Sequence, residues 1–230
     1  MKLGIISDIH GNNFALKAIL EKTPNVDLFI FLGDISGYYS FTEECVELLK
    51  KINIVAVKGN HDQILIDCLI NNKKPDLSYS IRYGSALLRS FLSASHYTID
   101  FLLSLPDFQE FMLDGNIFKC FHGAPWNPLT GRVYPNFKEW NRFMDVNADV
   151  ILLGHTHYPF IKKLNNNKLI INPGSVGQPR DIGNMSSYII LDTLSLDVKL
   201  YRTSFDIQIL IDDSKKNDPD ISYLIEILKR

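Results

Sequence analysis

Seven side chains that commonly bind metal ions follow short apolar segments of this sequence. Each segment is rich in isoleucine, valine, leucine or phenylalanine, and an aspartate, asparagine or histidine comes soon after its end. The set comprises Asp8, His10, Asp34, Asn60, His122, His155 and His157. His61 lies beside this set, so that only His96 of the six histidines falls elsewhere. Turn and capping residues also follow strands, but that alternative does not account for so many imidazoles. These positions therefore indicate a shared metal site.

The donor atoms in this set are oxygens and nitrogens, without a thiolate. That combination suits Mn²⁺, Fe²⁺, Zn²⁺, Ni²⁺ or Co²⁺. The donors are too many for one tetrahedral ion and fit two ions that keep open positions. Two divalent ions about 3.5 to 4 Å apart can share a carboxylate and hold both the attacking and the leaving oxygen of a displacement at phosphorus. Because its only carboxylates are Asp8 and Asp34, such a site stays positively charged and attracts phosphate.

The segments before the first of these residues predict a parallel sheet. The runs "KLGII", "DLFIFL" and "INIVAV" have the length and composition of buried strands, and segments with helical spacing separate them. Asn12 or Asn13 is predicted to cap the first helix, and Thr42 is predicted to cap the second. In a β-α-β-α-β arrangement the carboxyl ends of the strands meet at one edge of the sheet. Residues far apart in the sequence therefore come together there.

The remainder of the chain predicts further strands and a helical insertion. Residues 63–104 show helix-like periods with a break at Pro75, and we interpret them as a cap inserted into the domain. Asp114-Gly115, between two apolar runs, predicts a β-hairpin. The segments "FIKKLNNNKLII" and "YIILDTLSLDVKLY" predict two more hairpins. The expected fold is a layered α/β/β/α sandwich of mixed sheets with outer helices and a helical cap insertion.

Length and composition fit one such domain. The chain has 230 residues with 46% hydrophobic content, enough for a sizeable core. We expect the domain to span residues 1–204 and a tail to span residues 205–230. The tail contains an apolar stretch, then a polar linker, "DDSKKNDPD", and then a short amphipathic helix, "ISYLIEILK".

Several classes of protein are disfavoured by composition. A formal net charge of -2 gives no reason to expect stable binding of nucleic acid. No segment has the length of a membrane span or the form of a signal peptide. Three widely spaced cysteines argue against a disulfide framework. We therefore expect a cytoplasmic protein that takes a small substrate and has no membrane partner, and a homo-oligomer is compatible with the sequence.

Five short motifs carry a resemblance to a known family. They are "DIHGN" (8–12), "GDISG" (33–37), "GNHD" (59–62), "HGAP" (122–125) and "GHTH" (154–157). In this order they resemble the signature of the calcineurin-like metallophosphoesterase superfamily. The stretch "NPGSVGQPRD" (172–181) is similar to that of its small prokaryotic phosphodiesterase branch. In the protein serine/threonine phosphatases of the superfamily an Asp-Arg-Gly follows the second motif. Here "ISGYYS" follows it, and this departure argues against membership of the protein phosphatase branch.

The resemblance implies a role for each residue of the set. Asp8, His10 and His157 would bind one ion, Asn60, His122 and His155 would bind the other, and Asp34 would bridge both. A hydroxide bridging the ions would be the nucleophile. His61 would stay off the metals and face the scissile phosphate, either as a proton donor to the leaving group or only as a positioning group.

The resulting expectation is a binuclear metal-dependent phosphoesterase that hydrolyses phosphodiesters, with manganese among the candidate metals. The alternatives are an asymmetric dinucleoside polyphosphate (Ap4A-type) hydrolase and a phosphomonoesterase. A catalytically inactive protein-binding scaffold of the same fold is a further alternative, but the complete ligand set and His61 argue against it. A nuclease is disfavoured because the sequence has no basic stripe.

Three other features carry two interpretations each. Arg180 either contacts a substrate phosphate or forms a surface pair with Asp181. Asp62 either orients His61 or interacts with a helix N-terminus, and we leave it outside the catalytic set. The aromatic residues of the insertion either belong to its core, which we favour, or line a base-stacking pocket. These aromatic residues are Tyr79, Tyr83, Phe91, Tyr97 and Phe101.

Overall fold

The computed structural model describes all 230 residues and contains two five-stranded mixed sheets with helices. The strands are β1 (Lys2–Ile6), β2 (Leu28–Phe31), β3 (Ile54–Ala56), β4 (Phe108–Leu113), β5 (Asn116–Phe121), β6 (Val150–Leu152), β7 (Phe160–Lys163), β8 (Leu169–Asn172), β9 (Met185–Asp192) and β10 (Val198–Ser204). The helices are α1 (Asn13–Lys22), α2 (Thr42–Leu49), α3 (Asn60–Ile70), α4 (Leu77–Tyr83), α5 (Ala86–Ser93), α6 (His96–Ser104), α7 (Gln208–Asn217) and α8 (Tyr223–Glu226). Short 3₁₀ helices span Trp140–Phe143 and Ile227–Lys229. No helix combines the length and the apolar character that crossing a membrane requires.

The first sheet has the order β10-β9-β1-β2-β3, in which β1, β2 and β3 are parallel and β9 runs antiparallel to β1. The register pairs Ile5 with Ile30 and Ile30 with Val55. The second sheet has the order β4-β5-β6-β8-β7, with β5, β6 and β8 parallel. The β-α-β-α-β prediction for the amino-terminal part is therefore confirmed, and so is the prediction of mixed sheets in layers.

Alternation along the strands divides the core into layers. Leu3 and Ile5 of β1 pack between the two sheets with Phe118 and Leu152 of the second sheet. Ile6 faces the other way and joins the large cluster beneath the helices. On the far side of the second sheet, a loop segment with one 3₁₀ helix covers a third, smaller cluster. The strand ends that carry the site residues are thus held by cores on both of their faces.

The predicted hairpins are present. Asp114 and Gly115 have φ values of 49° and 82° and join β4 to β5, as the turn chemistry predicted. The two other predicted hairpins correspond to β7–β8 and β9–β10. Asn12 caps α1, because its Oδ1 accepts a hydrogen bond of 3.0 Å from the Ala15 N–H.

Two local predictions are wrong. Thr42 does not cap α2, since it is the first residue of that helix and its hydroxyl accepts a hydrogen bond of 3.1 Å from Ser90 of α5. The polar stretch after the domain is not a linker, because α7 runs through it to Asn217. Leu210 and Ser214 are buried on one face of α7. Packing of this narrow face stabilises the helix, although its exposed side is charged.

Helices fill the segment predicted as helical between residues 63 and 104, and the first of them begins earlier, at Asn60. The tail packs against them. Leu224 is fully buried, and Asp218 accepts a hydrogen bond of 2.6 Å from the Ser85 N–H at the start of α5. Arg89 of α5 adds an ion pair of 3.5 Å to the same aspartate. The carboxyl-terminal segment and the helices of residues 60–104 thus form one packed layer beside the site.

Candidate metal centre

The predicted ligands converge where the carboxyl ends of the strands of both sheets meet. The loops after β1 and β2 supply three of them, the start of α3 supplies Asn60, and the segments after β5 and β6 supply the remainder. Five of these residues have positive φ. They are Asp8 (54°), His10 (51°), Asp34 (61°), His155 (66°) and His157 (63°). Left-handed backbone is uncommon outside glycine and concentrates at functional sites.

Main-chain hydrogen bonds hold these strained loops against each other. The Asp8 N–H donates to the Gly33 carbonyl at 2.9 Å, and the His10 N–H donates to the Asp34 carbonyl at 2.9 Å. The loop after β1 is therefore fastened to the loop after β2. This pairing fixes the spacing between their side chains before any ligand binds.

The first ligand group consists of Asp8, His10 and His157. Nε2 of His157 lies 3.3 Å from Oδ1 of Asp8 and 3.1 Å from Nε2 of His10. The other ring nitrogens are engaged elsewhere: Nδ1 of His10 lies 2.9 Å from the Ser36 carbonyl, and Nδ1 of His157 lies 2.7 Å from the Gln178 carbonyl. A carbonyl only accepts, so each Nδ1 carries the proton and each Nε2 presents a lone pair. Two lone pairs and a carboxylate oxygen thus point at one position.

The second ligand group consists of Asp34, His122 and His155, with Asn60 beside them. Nε2 of His122 lies 3.2 Å from Oδ2 of Asp34, 3.1 Å from Oδ1 of Asn60 and 3.2 Å from Nδ1 of His155. Nδ1 of His122 donates to the Leu32 carbonyl at 2.7 Å. As in the first group, a backbone acceptor orients the imidazole and leaves its other nitrogen for the site.

Asp34 lies between the two groups. Its Oδ2 is 3.2 Å from Nε2 of His122 in the second group and 3.9 Å from Nε2 of His10 in the first. Its Oδ1 accepts a hydrogen bond of 2.8 Å from the His61 N–H. One oxygen of Asp34 is therefore fixed by the main chain, and the other faces both groups.

The side chains present fit a bound cation. Oδ2 of Asp8 accepts a hydrogen bond of 3.0 Å from the His155 N–H, but Oδ1 has no hydrogen-bond partner although the residue is fully buried. Buried polar atoms are nearly always satisfied. An orphaned carboxylate oxygen beside two imidazole lone pairs is an arrangement that a divalent cation satisfies.

Burial and mutual charge shift the pKa values of these groups. Burial raises the pKa of Asp8. Burial opposes the ionisation of Asp34, but the charges of His122 and His61 outweigh it and hold the pKa of Asp34 well below its usual value. Burial also opposes a charge on His122, yet the adjacent Asp34 carboxylate raises the pKa of that imidazole to about 9. Burial lowers the pKa of His155 to about 3. Without metal and below a pH of about 9, the Asp34–His122 pair therefore retains a proton, which lies on His122.

Asp62 braces this site: it interacts with the N-terminus of α3, as one of the two sequence interpretations had it, and it also bonds to the loop after β2, which the sequence did not reveal. Its carboxylate accepts hydrogen bonds from the main-chain N–H groups of Asp34 (2.8 Å), Ser36 (3.0 Å) and Gly59 (3.0 Å), and from the Ser36 hydroxyl (2.9 Å). It therefore ties the loop after β2 to the start of α3. The contact with Gly59 is the local signal, since position N3 of a helix commonly bonds back to the N-cap.

His61 is 5% exposed and lies beside the first group. One of its ring nitrogens lies within 4.8 Å of the ligand atoms of His10 and Asp34. Its ring packs at 5.1 Å from that of Tyr83 and 5.5 Å from that of Tyr79. The favoured interpretation of the aromatic residues as core is confirmed for Tyr79, which belongs to the helical cluster, and for Tyr83, Phe91 and Phe101, which pack against it, whereas Tyr97 is exposed. Tyr79 and Tyr83 in addition contact the ring of His61.

Two arginines lie near the ligands. Of the two interpretations of Arg180, the surface pair with Asp181 is not formed, because Asp181 pairs with Arg202 and Arg180 donates a hydrogen bond of 3.2 Å to the Tyr38 hydroxyl. Arg132, which no sequence pattern singled out, is exposed and places its Nε 3.3 Å from Nε2 of His155. Arg132 adds positive charge beside His155, and Arg180 adds it near Asp8 and His157.

Comparison with known proteins agrees with this geometry. The profile of the calcineurin-like phosphoesterase superfamily domain matches residues 1–195. An uncharacterized protein of Methanocaldococcus jannaschii is 33% identical, over 94% of this chain and 92% of the relative. A probable metallophosphoesterase of the same organism is 28% identical, over 78% of this chain and 70% of the relative. The crystal structure of a metallophosphoesterase from Sphaerobacter thermophilus superposes with a TM-score of 0.81 and 26% identity, covering 99% of each chain.

The fold and the clustered donor side chains together place the protein in the class of metal-binding phosphoester hydrolases. The chain belongs to the calcineurin-like phosphoesterase superfamily. The family predicted from the five sequence motifs is thus confirmed.

Proposed function

We propose that this protein is a phosphodiesterase whose site holds two divalent transition-metal ions. The observation that carries the proposal is the place of Asp34, whose Oδ2 faces His10 of the first ligand group and His122 of the second. A carboxylate shared in this way suits a pair of ions. Asp8, His10 and His157 would hold one ion, Asn60, His122 and His155 would hold the other, and Asp34 would contact both. The ions would be drawn from Mn, Fe, Zn, Ni and Co, with manganese the first to test.

When bound, such ions polarise a phosphoryl group and activate water for attack at phosphorus. The protein's own residues supply the rest. His61 is placed to hydrogen-bond a phosphoryl oxygen or to protonate the leaving oxygen. Arg180, half-buried and donating to the Tyr38 hydroxyl at 3.2 Å, supplies a positive charge that would favour an anionic substrate.

We further propose that residues 1–204 form the catalytic domain and that residues 63–104 cap its site, because Tyr79 and Tyr83 of this segment lie against His61. Residues 205–230 would support this cap from behind, as the bond from the Ser85 N–H to Asp218 suggests. The three cysteines are free and buried, which suits a reducing compartment, and we place the enzyme in the cytoplasm.

The experiment that tests this function is a screen of phosphodiesters, phosphomonoesters and dinucleoside polyphosphates with each candidate metal. Asp34→Asn and His61→Ala are measured beside the wild type, and Asp67→Asn, on an exposed face of α3, is the matched control. We expect Asp34→Asn to lose metal and activity together, and His61→Ala to keep metal but lose about 100-fold or more in kcat.

The outcomes separate the alternatives. Preference for dinucleoside polyphosphates or for monoesters would replace the phosphodiesterase proposal within the same class. Normal activity in Asp34→Asn would contradict the shared carboxylate. Binding of metal without hydrolysis of any ester would favour a protein-binding scaffold.

A further inference from the structure

The His61 side chain needs a contact that fixes its ring. Its main-chain N–H is held by Oδ1 of Asp34 at 2.8 Å, but that bond leaves the ring free to turn about its own side-chain torsions. The ring is 5% exposed and has a tyrosine on several sides, with ring centroids 5.3 Å from Tyr38, 5.5 Å from Tyr79 and 5.1 Å from Tyr83. Packing alone does not decide which ring nitrogen faces the ligands.

A hydrogen bond from the helical cap does decide it. The Tyr79 hydroxyl is in hydrogen-bond contact with Nδ1 of His61. Tyr79 lies on α4 and is 8% exposed, so water does not compete freely for this contact. Burial raises the pKa of Tyr79 well above its usual value, so the hydroxyl retains its proton, and such a hydroxyl can donate to Nδ1 or accept from it. A neutral imidazole that accepts at Nδ1 carries its proton on Nε2.

The other neighbours of His61 are engaged elsewhere. The carboxylate oxygens of Asp62 accept from the main chain of the loop after β2 and from Gly59. The Tyr38 hydroxyl accepts from Arg180. Tyr83 presents its ring to His61 at 75° and makes no hydrogen bond to it. The orienting contact therefore comes from Tyr79, a residue 18 positions further along the chain.

We propose that Tyr79 is a positioning residue that holds His61 with Nε2–H directed at the substrate. This inference rests on the proposed function for its catalytic consequence, because it supposes that His61 donates a hydrogen bond to a phosphoryl or leaving oxygen. It also assigns the helical insertion a part in catalysis, since the cap supplies the tyrosine that orients the imidazole and the start of α3 supplies the imidazole itself.

The position of Tyr79 is itself set by the carboxyl-terminal segment. α4 ends at Tyr83 and is capped by Gly84, whose φ is 91°, and a side chain at that glycine would meet Leu224 Cδ1 at 3.0 Å and Asp218 at 3.4 Å. The next residue, Ser85, donates its N–H to Asp218 at 2.6 Å. The end of α4 is thus fixed against residues 218–224, and Tyr79 lies one helical turn before that end.

The first test compares Tyr79→Phe with Tyr83→Phe, which removes an equivalent hydroxyl from a ring equally close to His61. Partners that orient a functional imidazole are typically worth about 10- to 100-fold in activity. We expect Tyr79→Phe to lower kcat by about that factor with little change in KM, and Tyr83→Phe to stay within about threefold of wild type. In a His61→Ala background, Tyr79→Phe should have no further effect on kcat. An equal loss in both backgrounds would show that Tyr79 acts independently of His61 and would overturn the proposal.

The second test does not depend on activity. Nitrogen-15 NMR of the imidazoles in metal-free protein, with His61 assigned by its absence in His61→Ala, reports which ring nitrogen is protonated. We expect the Nε2–H tautomer in wild type and Tyr83→Phe, and a mixture of tautomers in Tyr79→Phe. A wild-type His61 protonated on Nδ1 alone would overturn the proposal even if Tyr79→Phe failed to fold. If wild type hydrolyses no phosphate ester, the proposed function fails, whereas this measurement still decides whether Tyr79 orients His61.

Discussion

The main-chain N–H of His155 donates a hydrogen bond of 3.0 Å to Oδ2 of Asp8, joining the loop after β6 to the loop after β1. The two oxygens of this carboxylate therefore differ. Oδ2 holds the two sheets together at their common edge, and Oδ1, which has no partner, faces the imidazoles of His10 and His157. A single carboxylate thus has one oxygen engaged by the main chain and one oxygen free to bind a cation.

Asp8→Asn separates these two roles. The amide oxygen can still accept from the His155 N–H, but the amide group is a poor substitute for an anionic ligand. We expect the variant to lose one of the two proposed ions and more than about 100-fold in activity, since even the partners of ligands are worth 10- to 100-fold. Metal content after dialysis, measured by plasma mass spectrometry, and initial rates check this.

The same variant should be more stable than wild type when both are metal-free. Because burial raises the pKa of Asp8 in the folded protein, ionised Asp8 costs stability above the pKa of the unfolded chain, and a neutral amide removes that cost. Urea unfolding at pH 8 in the presence of a chelator measures the difference, with Asp67→Asn as control. A less stable metal-free Asp8→Asn would contradict the assignment of Oδ1 as an unsatisfied oxygen.

Asp62→Asn should weaken the brace between the two first-sheet loops. The carboxylate accepts from Asp34, Ser36 and Gly59, and an amide nitrogen in its place would face N–H donors with no acceptor. Leaving such groups unsatisfied costs about 1–3 kcal/mol of unfolding free energy. Thermal and urea unfolding measure the loss, and Asp67→Asn on the same helix should change stability by less than about 0.5 kcal/mol. Equal stability of the two variants would refute the brace.

Metal affinity should fall as the pH is lowered. In the metal-free protein, burial lowers the pKa of His122, but the Asp34 carboxylate outweighs it and raises that pKa to about 9. Below this pH an incoming ion therefore displaces a proton from His122. Burial raises the pKa of Asp8 to about 7, so a second proton must leave below that value. The apparent affinity should therefore drop about tenfold for each pH unit per displaced proton. Calorimetry of Mn²⁺ binding in buffers of different ionisation enthalpy counts these protons, and an affinity independent of pH would contradict the pKa of His122.

The sequence predicted which donor side chains lie together, because each one follows the end of a strand within a few residues. Asp34 and His122 needed only the rule that parallel strands end at one edge, together with the motifs around them. The bonds of Asp62 to the loop after β2 and of Tyr79 to His61 were not predicted, because they join residues 18 to 28 positions apart that no local pattern encodes. Tyr79 in particular has the helical spacing of a core residue, and its hydroxyl gains its role only when the fold brings α4 to His61 at the start of α3. Helix α7 was missed for a related reason, since its charged surface hides a narrow buried face.

Leu224→Ala tests whether the carboxyl-terminal segment supports the cap. Leu224 is fully buried, its carbonyl accepts a hydrogen bond of 3.1 Å from the Tyr39 hydroxyl, and its side chain lies against Gly84 at the end of α4. Truncating a buried leucine costs about 2–5 kcal/mol of unfolding free energy. Leu194→Ala, at a residue that is 79% exposed, should cost little. Because the cavity would form behind α4, amide hydrogen exchange should accelerate in residues 77–93 of the Leu224 variant more than in β1 or β2. Uniform acceleration across the whole chain would instead mean that the segment stabilises the domain without a particular link to the cap.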